Sequence, residues 1–104
     1  MKPLIVLTTV GENFDARVLA TSLVENRLAA CVNIVVGIAS IYRWKERIAA
    51  EHEQLLVIKT TDDRLAALRE ALLSRHPYEV PELAVIEIDS LEGPYRQWLF
   101  DSVS

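Results

Sequence analysis

The stretch Cys31-Val32-Asn33-Ile34-Val35-Val36-Gly37-Ile38-Ala39-Ser40-Ile41-Tyr42-Arg43-Trp44 decides the fold. Its even positions read Val32, Ile34, Val36, Ile38, Ser40, Tyr42 and Trp44, a period of two that predicts a strand, with Gly37 as a bulge or bend. At about 3.3 Å per residue such a strand runs roughly 45 Å, more than a domain of this size spans. It is therefore expected to form half of a hairpin that projects beyond its own domain. Ile48 to Thr60, ending in Leu55-Leu56-Val57-Ile58, is the return strand.

Before the hairpin, Pro3 to Val10 holds Leu4-Ile5-Val6-Leu7, a short apolar run typical of a strand buried on both faces. Phe14, Val18, Leu19 and Leu23 then follow one helical face, with Asn13 as N-cap and an end near Asn26 to Leu28. After the hairpin, Thr60-Thr61-Asp62-Asp63 opens a second helix, in which Leu65, Leu68 and Leu72 share a face. Pro77 ends it, because the residue before a proline is pushed out of the helical region. Leu83 to Asp89 is a further strand, and Gly93-Pro94 starts a last helix carrying Tyr95, Trp98 and Leu99. The order β-α-β-β-α-β-α is the α+β, ferredoxin-like pattern of two split β-α-β units, with an extended hairpin and an added C-terminal helix. So long a hairpin leaves apolar surface and strand edges open, and sister subunits are their natural cover.

Composition bounds the function. At 104 residues the chain is one domain, and 51% hydrophobic with 25% charged residues marks an ordinary globular protein. A net charge of −4 leaves no electrostatic footprint for nucleic acid. No apolar run approaches a membrane span and no signal-peptide pattern is present, so a cytoplasmic protein is expected. The single cysteine, Cys31, forms no internal disulfide and lacks a CxxC partner. No nucleophile elbow, P-loop or dinucleotide fingerprint occurs, so the protein is not read as an enzyme.

Two groups of residues have the chemistry of a site. His76-Pro77-Tyr78-Glu79-Val80-Pro81-Glu82 joins an imidazole to carboxylates on a backbone stiffened by two prolines, which suits either a rigid connector or a divalent-cation ligand set. Tyr42, Trp44, Tyr78 and Trp98 suit core packing, an interface or the wall of a ligand cleft. Lys59 suits an anionic ligand or a pair with Glu82. In Glu51-His52-Glu53 the two glutamates share one strand face and His52 the other, the pattern of a solvated surface.

Taken together, Ala30-Cys31-Val32-Asn33-Ile34, Ser40-Ile41-Tyr42-Arg43-Trp44, Leu56-Val57-Ile58-Lys59-Thr60, the His76 to Glu82 segment, Tyr95 and Trp98 resemble the CutA family of divalent-cation tolerance proteins. The resemblance implies a homotrimer of ferredoxin-like subunits, similar in architecture to PII signalling proteins. It also implies binding of copper or another divalent cation that folding does not require, with His76 and Cys31 as metal candidates. The PII likeness implies the alternative of a small anionic ligand between subunits, at Lys59, Tyr42, Trp44, Tyr78, Glu79, Glu82 and Trp98. Where family members bind copper, a first-strand cysteine and a histidine before the His-Pro-Tyr motif take part. This chain has Thr8 and Arg75 there, and neither is a soft-metal ligand.

Overall fold

The computed structural model describes Met1–Ser104. The elements are β1 (Pro3–Gly11), α1 (Ala16–Glu25), β2 (Cys31–Trp44), β3 (Arg47–Thr61), a 3-10 turn (Asp62–Arg64), α2 (Leu65–Arg75), β4 (Ala84–Glu87) and α3 (Gly93–Val103). The strands form one antiparallel sheet in the order β2-β3-β1-β4.

One face of the sheet carries the core. Val6 and Val10 of β1 and Leu56 and Ile58 of β3 pack against Leu19 and Leu23 of α1 and Leu68 and Leu72 of α2. Each such side chain contributes about 1.5–3 kcal/mol by leaving water. The first helix begins later than its apolar pattern suggests. Backbone bonds from Phe14 to Gly11 and from Ala16 to Phe14 make a turn there, so Asp15, not Asn13, is the N-cap and accepts from the Val18 N–H. Buried Gln54 braces this turn, donating to the carbonyls of Gly11 and Phe14, both at 2.9 Å.

The opposite face is less covered. Along β1, buried residues alternate with half-buried Ile5, Leu7 and Thr9, so the Leu4–Leu7 run is not buried on both sides. Leu55 and Val57 of β3 are half-buried on that same face. α3 packs Leu99 and Val103 against Ala30, and its C-terminus is held by Arg64 Nε, which donates to the Val103 carbonyl at 2.7 Å.

The β2-β3 arm reaches far past the helices. The molecule measures 45 × 25 × 22 Å, and its radius of gyration of 14.4 Å exceeds the value of about 13 Å for a compact chain of this size. The arm ends in a two-residue turn, Lys45-Glu46, closed by the Trp44–Arg47 pair. Both turn residues have positive φ, 49° and 66°, the geometry that matches the twist of a hairpin. Between Val35–Leu55 and Ile38–Glu53, β2 advances three residues while β3 advances two. The extra residue is a bulge at Val36–Gly37, with Gly37 at φ 73°.

That bulge splits the even-numbered face. Before it, Val32 and Ile34 lie opposite Ile58 and Leu56 on the helix side. Beyond it, Ser40 lies opposite Glu51 and Ile38 opposite Glu53, so Ser40, Tyr42 and Trp44 lie on the other side, with the odd-numbered residues of β3.

Candidate functional site

β4 pairs only with Leu4–Leu7, which leaves the outer edge of Thr8–Gly11 to the connector that follows α2. There His76 docks. The Tyr78 N–H donates to its Nδ1 at 3.1 Å, so that nitrogen carries no proton and Nε2 is the donor. Nε2–H is shared between the Thr9 carbonyl at 3.0 Å and the Thr8 hydroxyl at 3.1 Å. The Thr8 hydroxyl in turn donates to the Glu82 carbonyl at 2.7 Å. Burial lowers the pKa of His76, outweighing the Thr9 carbonyl and the charge of Glu53, which both raise it. His76 is thus the keystone of the connector, and a metal at either nitrogen has to displace a hydrogen bond.

The connector then crosses to the arm. Tyr78 donates its hydroxyl to Glu53 Oε2 at 2.6 Å, and its ring tilts against His76 at 5.0 Å between centroids. Glu53 is only 6% exposed and has no lysine or arginine partner, since the one ion pair in the molecule joins Lys2 and Glu87. Burial works to raise its pKa, but the hydroxyls of Ser40, Tyr78 and Thr9 hold it below the usual carboxylate range. Burial, the Glu53 hydrogen bond and the neighbouring carboxylates push the Tyr78 phenol far up. Tyr42 shifts up as well, through desolvation and then Glu51 and Glu53.

Between arm and connector lies a cleft of about 680 Å³. Glu51 and Glu53 face it from the arm and Glu79 and Glu82 from the connector, with Tyr42, Trp44 and Tyr78 as aromatic walls. Pro77 and Val80 complete the connector side, and no lysine, arginine or histidine lines it.

Of the residues singled out in the sequence, Tyr42, Trp44, Tyr78, Glu79 and Glu82 come together here. Lys59 and Trp98 do not: Lys59 Nζ sits over the Tyr95 ring at 5.8 Å, and Tyr95 stacks near Trp98 at 5.4 Å. Nor does Lys59 pair with Glu82. The cleft of one chain therefore lacks the cation that an anionic ligand needs. Cys31 pairs across β3 with Lys59, level with Ile5, whereas His76 docks at Thr8 and Thr9 further along β1. Its thiol reaches only Asn33 Oδ1, at 3.8 Å. No three His, Cys, Asp or Glu side chains converge as a metal cage. Within one chain, His76 and Cys31 therefore do not come together.

Glu53, Thr8 and Thr9 are the residues sequence reasoning missed. Glu51-His52-Glu53 reads as solvated surface, yet its second glutamate is buried. The available signal was parity: once Gly37 is a bulge, Tyr42 and Trp44 move to the glutamates' face.

The family described as CutA1 divalent ion tolerance protein matches residues 4–102. The divalent-cation tolerance protein CutA of Thermus thermophilus is 45% identical over 95 residues, covering 91% of this chain and 92% of that one. The chloroplastic protein CutA of Arabidopsis thaliana is 39% identical over 99 residues, 95% of this chain, which spans about half (54%) of that longer protein. The solved structure of CutA from Synechococcus elongatus superposes with a TM-score of 0.94 at 44% identity, covering 99% of this chain and 91% of that one. A chloroplastic relative means that a cytoplasmic location does not follow from the likeness. No helix of this protein is long and apolar enough to cross a membrane.

Proposed function

Because this chain belongs to the CutA1 divalent ion tolerance family, we propose that it draws a hydrated divalent cation into the acidic cleft between arm and connector, and does so as a homotrimer of ferredoxin-like protomers. The observation that carries this is Glu53, a carboxylate held ionised, 6% exposed and without a cationic partner, opening onto a cleft that three more glutamates line. Uncompensated negative charge in a partly desolvated cleft concentrates cations and repels anions. An anionic ligand would meet four carboxylates and no counter-charge. Oxygen donors without imidazole or thiolate favour harder divalent ions over copper(I).

Assembly is supported by what one chain leaves uncovered. Val36, Ile41 and Ile48 on the arm are 72%, 74% and 65% exposed, and the second sheet face is only half-buried. Such apolar area is the usual mark of a subunit interface.

Calorimetric titration of chelator-treated, desalted protein with Mn²⁺, Zn²⁺ and Cu²⁺ tests the cation site. A saturable heat that Glu51→Gln with Glu79→Gln abolishes is expected. Binding lost in His76→Gln but kept in the glutamate variant would move the site to the imidazole.

A further inference from the structure

Size and wall chemistry point beyond a bare ion. A divalent ion with six waters, at about 30 Å³ per water, fills roughly 200 Å³. The cleft holds about 680 Å³, within the range of small-molecule sites. Three aromatic side chains, Tyr42, Trp44 and Tyr78, stand in its wall beside the four glutamates. Tyr42 and Trp44 alternate with Ser40 on the arm face that the bulge turns toward Glu51 and Glu53, and remain 38% and 44% exposed. Tyr78 is fixed from the other side by its bond to Glu53 and by the prolines of the connector. A hydrated metal ion gains little from aromatic faces, whereas an alkylammonium or guanidinium group is attracted by them and by carboxylates together. The chain supplies its own instance: Lys45 Nζ lies 6.0 Å from the centre of the Trp44 ring.

We propose that the cleft is a binding site for a small organic dication, of the diamine or amino-guanidine class. Its two charged ends would meet Glu51 and Glu53 on the arm and Glu79 and Glu82 on the connector, with the methylene chain against Tyr42 and Tyr78. This rests on the cation assignment above and names the ligand class for the same cleft. Buried Glu53 then gains the counter-charge that its own fold does not supply.

The test uses the full chain carrying Trp98→Phe, so that Trp44 is the only tryptophan; Trp98 lies outside the cleft beside Tyr95. The probes are 1,4-diaminobutane, its neutral counterpart butane-1,4-diol, the dianion succinate, and Mn²⁺, each followed by Trp44 fluorescence and calorimetry after metal removal. Saturable binding of the diamine, with none of diol or succinate, is expected. Tyr42→Leu should weaken the diamine by about tenfold while changing Mn²⁺ affinity less than twofold, and Glu51→Gln should weaken both. Mn²⁺ binding without diamine binding overturns this inference and leaves the cation site standing. Failure of both overturns both. Equal binding of the diol overturns it in favour of an uncharged groove. A cleft that no probe enters because a second copy's basic hairpin tip fills it, seen as diamine binding only in an Arg43→Ala, Arg47→Ala variant, overturns it as well.

Discussion

The Tyr78 hydroxyl donates to Glu53 Oε2 at 2.6 Å, tying the proline-stiffened connector to the base of the arm. The bond joins residues 25 positions apart and closes one end of the cleft around a carboxylate that is 6% exposed. Tyr78→Phe removes the donor and leaves the charge behind. A loss of about 1.5–3 kcal/mol is expected in urea denaturation. Carbon-detected NMR of Glu53 should show its pKa rising, since one of the groups holding it down is gone. Glu53→Gln, an uncharged acceptor for the same hydroxyl, should cost less.

Acid should weaken the fold in two stages. Burial holds the His76 pKa below its ordinary value, while an unfolded histidine takes up its proton near pH 6.5. Below that pH the unfolded chain binds the extra proton first, so stability present above about 6.5 is lost as pH falls toward the folded-state pKa. Glu53, held below the usual carboxylate range, adds a second loss as pH falls from about 4.3 through its own folded value. Thermal unfolding from pH 8 to pH 3 should trace both steps, and His76→Gln should flatten the upper one.

The hairpin tip tolerates strain. Glu46 sits at φ 66°, a conformation that costs a residue with a Cβ about 1–2 kcal/mol. Glu46→Gly should therefore stabilise the arm by about 1 kcal/mol, after the larger unfolded-state entropy of glycine is set against the relief. A melting temperature unchanged or lowered would mean that the tip is held by contacts of the Glu46 side chain.

At Gly37 the sign reverses. A Cβ there meets nothing within 4 Å, so space is not the obstacle, but φ is 73°. Gly37→Ala is expected to cost about 1–2 kcal/mol through the backbone alone. Cation binding should weaken along with stability, because the bulge is what turns Tyr42 toward Glu51.

Assembly has its own readout. Val36 and Ile48 are 72% and 65% exposed on the arm, and neither lines the cleft. Light scattering should report three chains per particle for the natural sequence and a shift toward one for Val36→Lys with Ile48→Lys. A lone chain in both cases would leave the arm without the neighbour proposed here.

Local chemistry made much of this legible. Alternation from Cys31 to Trp44, the glycine within it, the Leu65-Leu68-Leu72 stripe and Pro77 each act over a few residues, and each produced the element expected. The start of α1 did not, because a turn closed by Gly11 and braced by Gln54, 43 residues from that glycine, takes the first turn of the apolar pattern. Among the site residues, Tyr78, Glu79 and Glu82 could be read as a rigid acidic segment, and Tyr42 and Trp44 as aromatics on a strand.

What faces what was decided only in three dimensions. A one-residue bulge reverses every later side chain on a strand, so the partnership of Tyr42 and Trp44 with Glu51 and Glu53 depends on register across β2 and β3. The roles of His76 and Glu53 depend on distant partners, Thr8 and Thr9 for the imidazole and Tyr78 for the carboxylate. Composition and periodicity fix the strands, helices and stiff connector because those preferences are local. Protonation, burial and the charge of the cleft belong to contacts between segments far apart in the chain, and only the folded protein brings them within hydrogen-bonding distance.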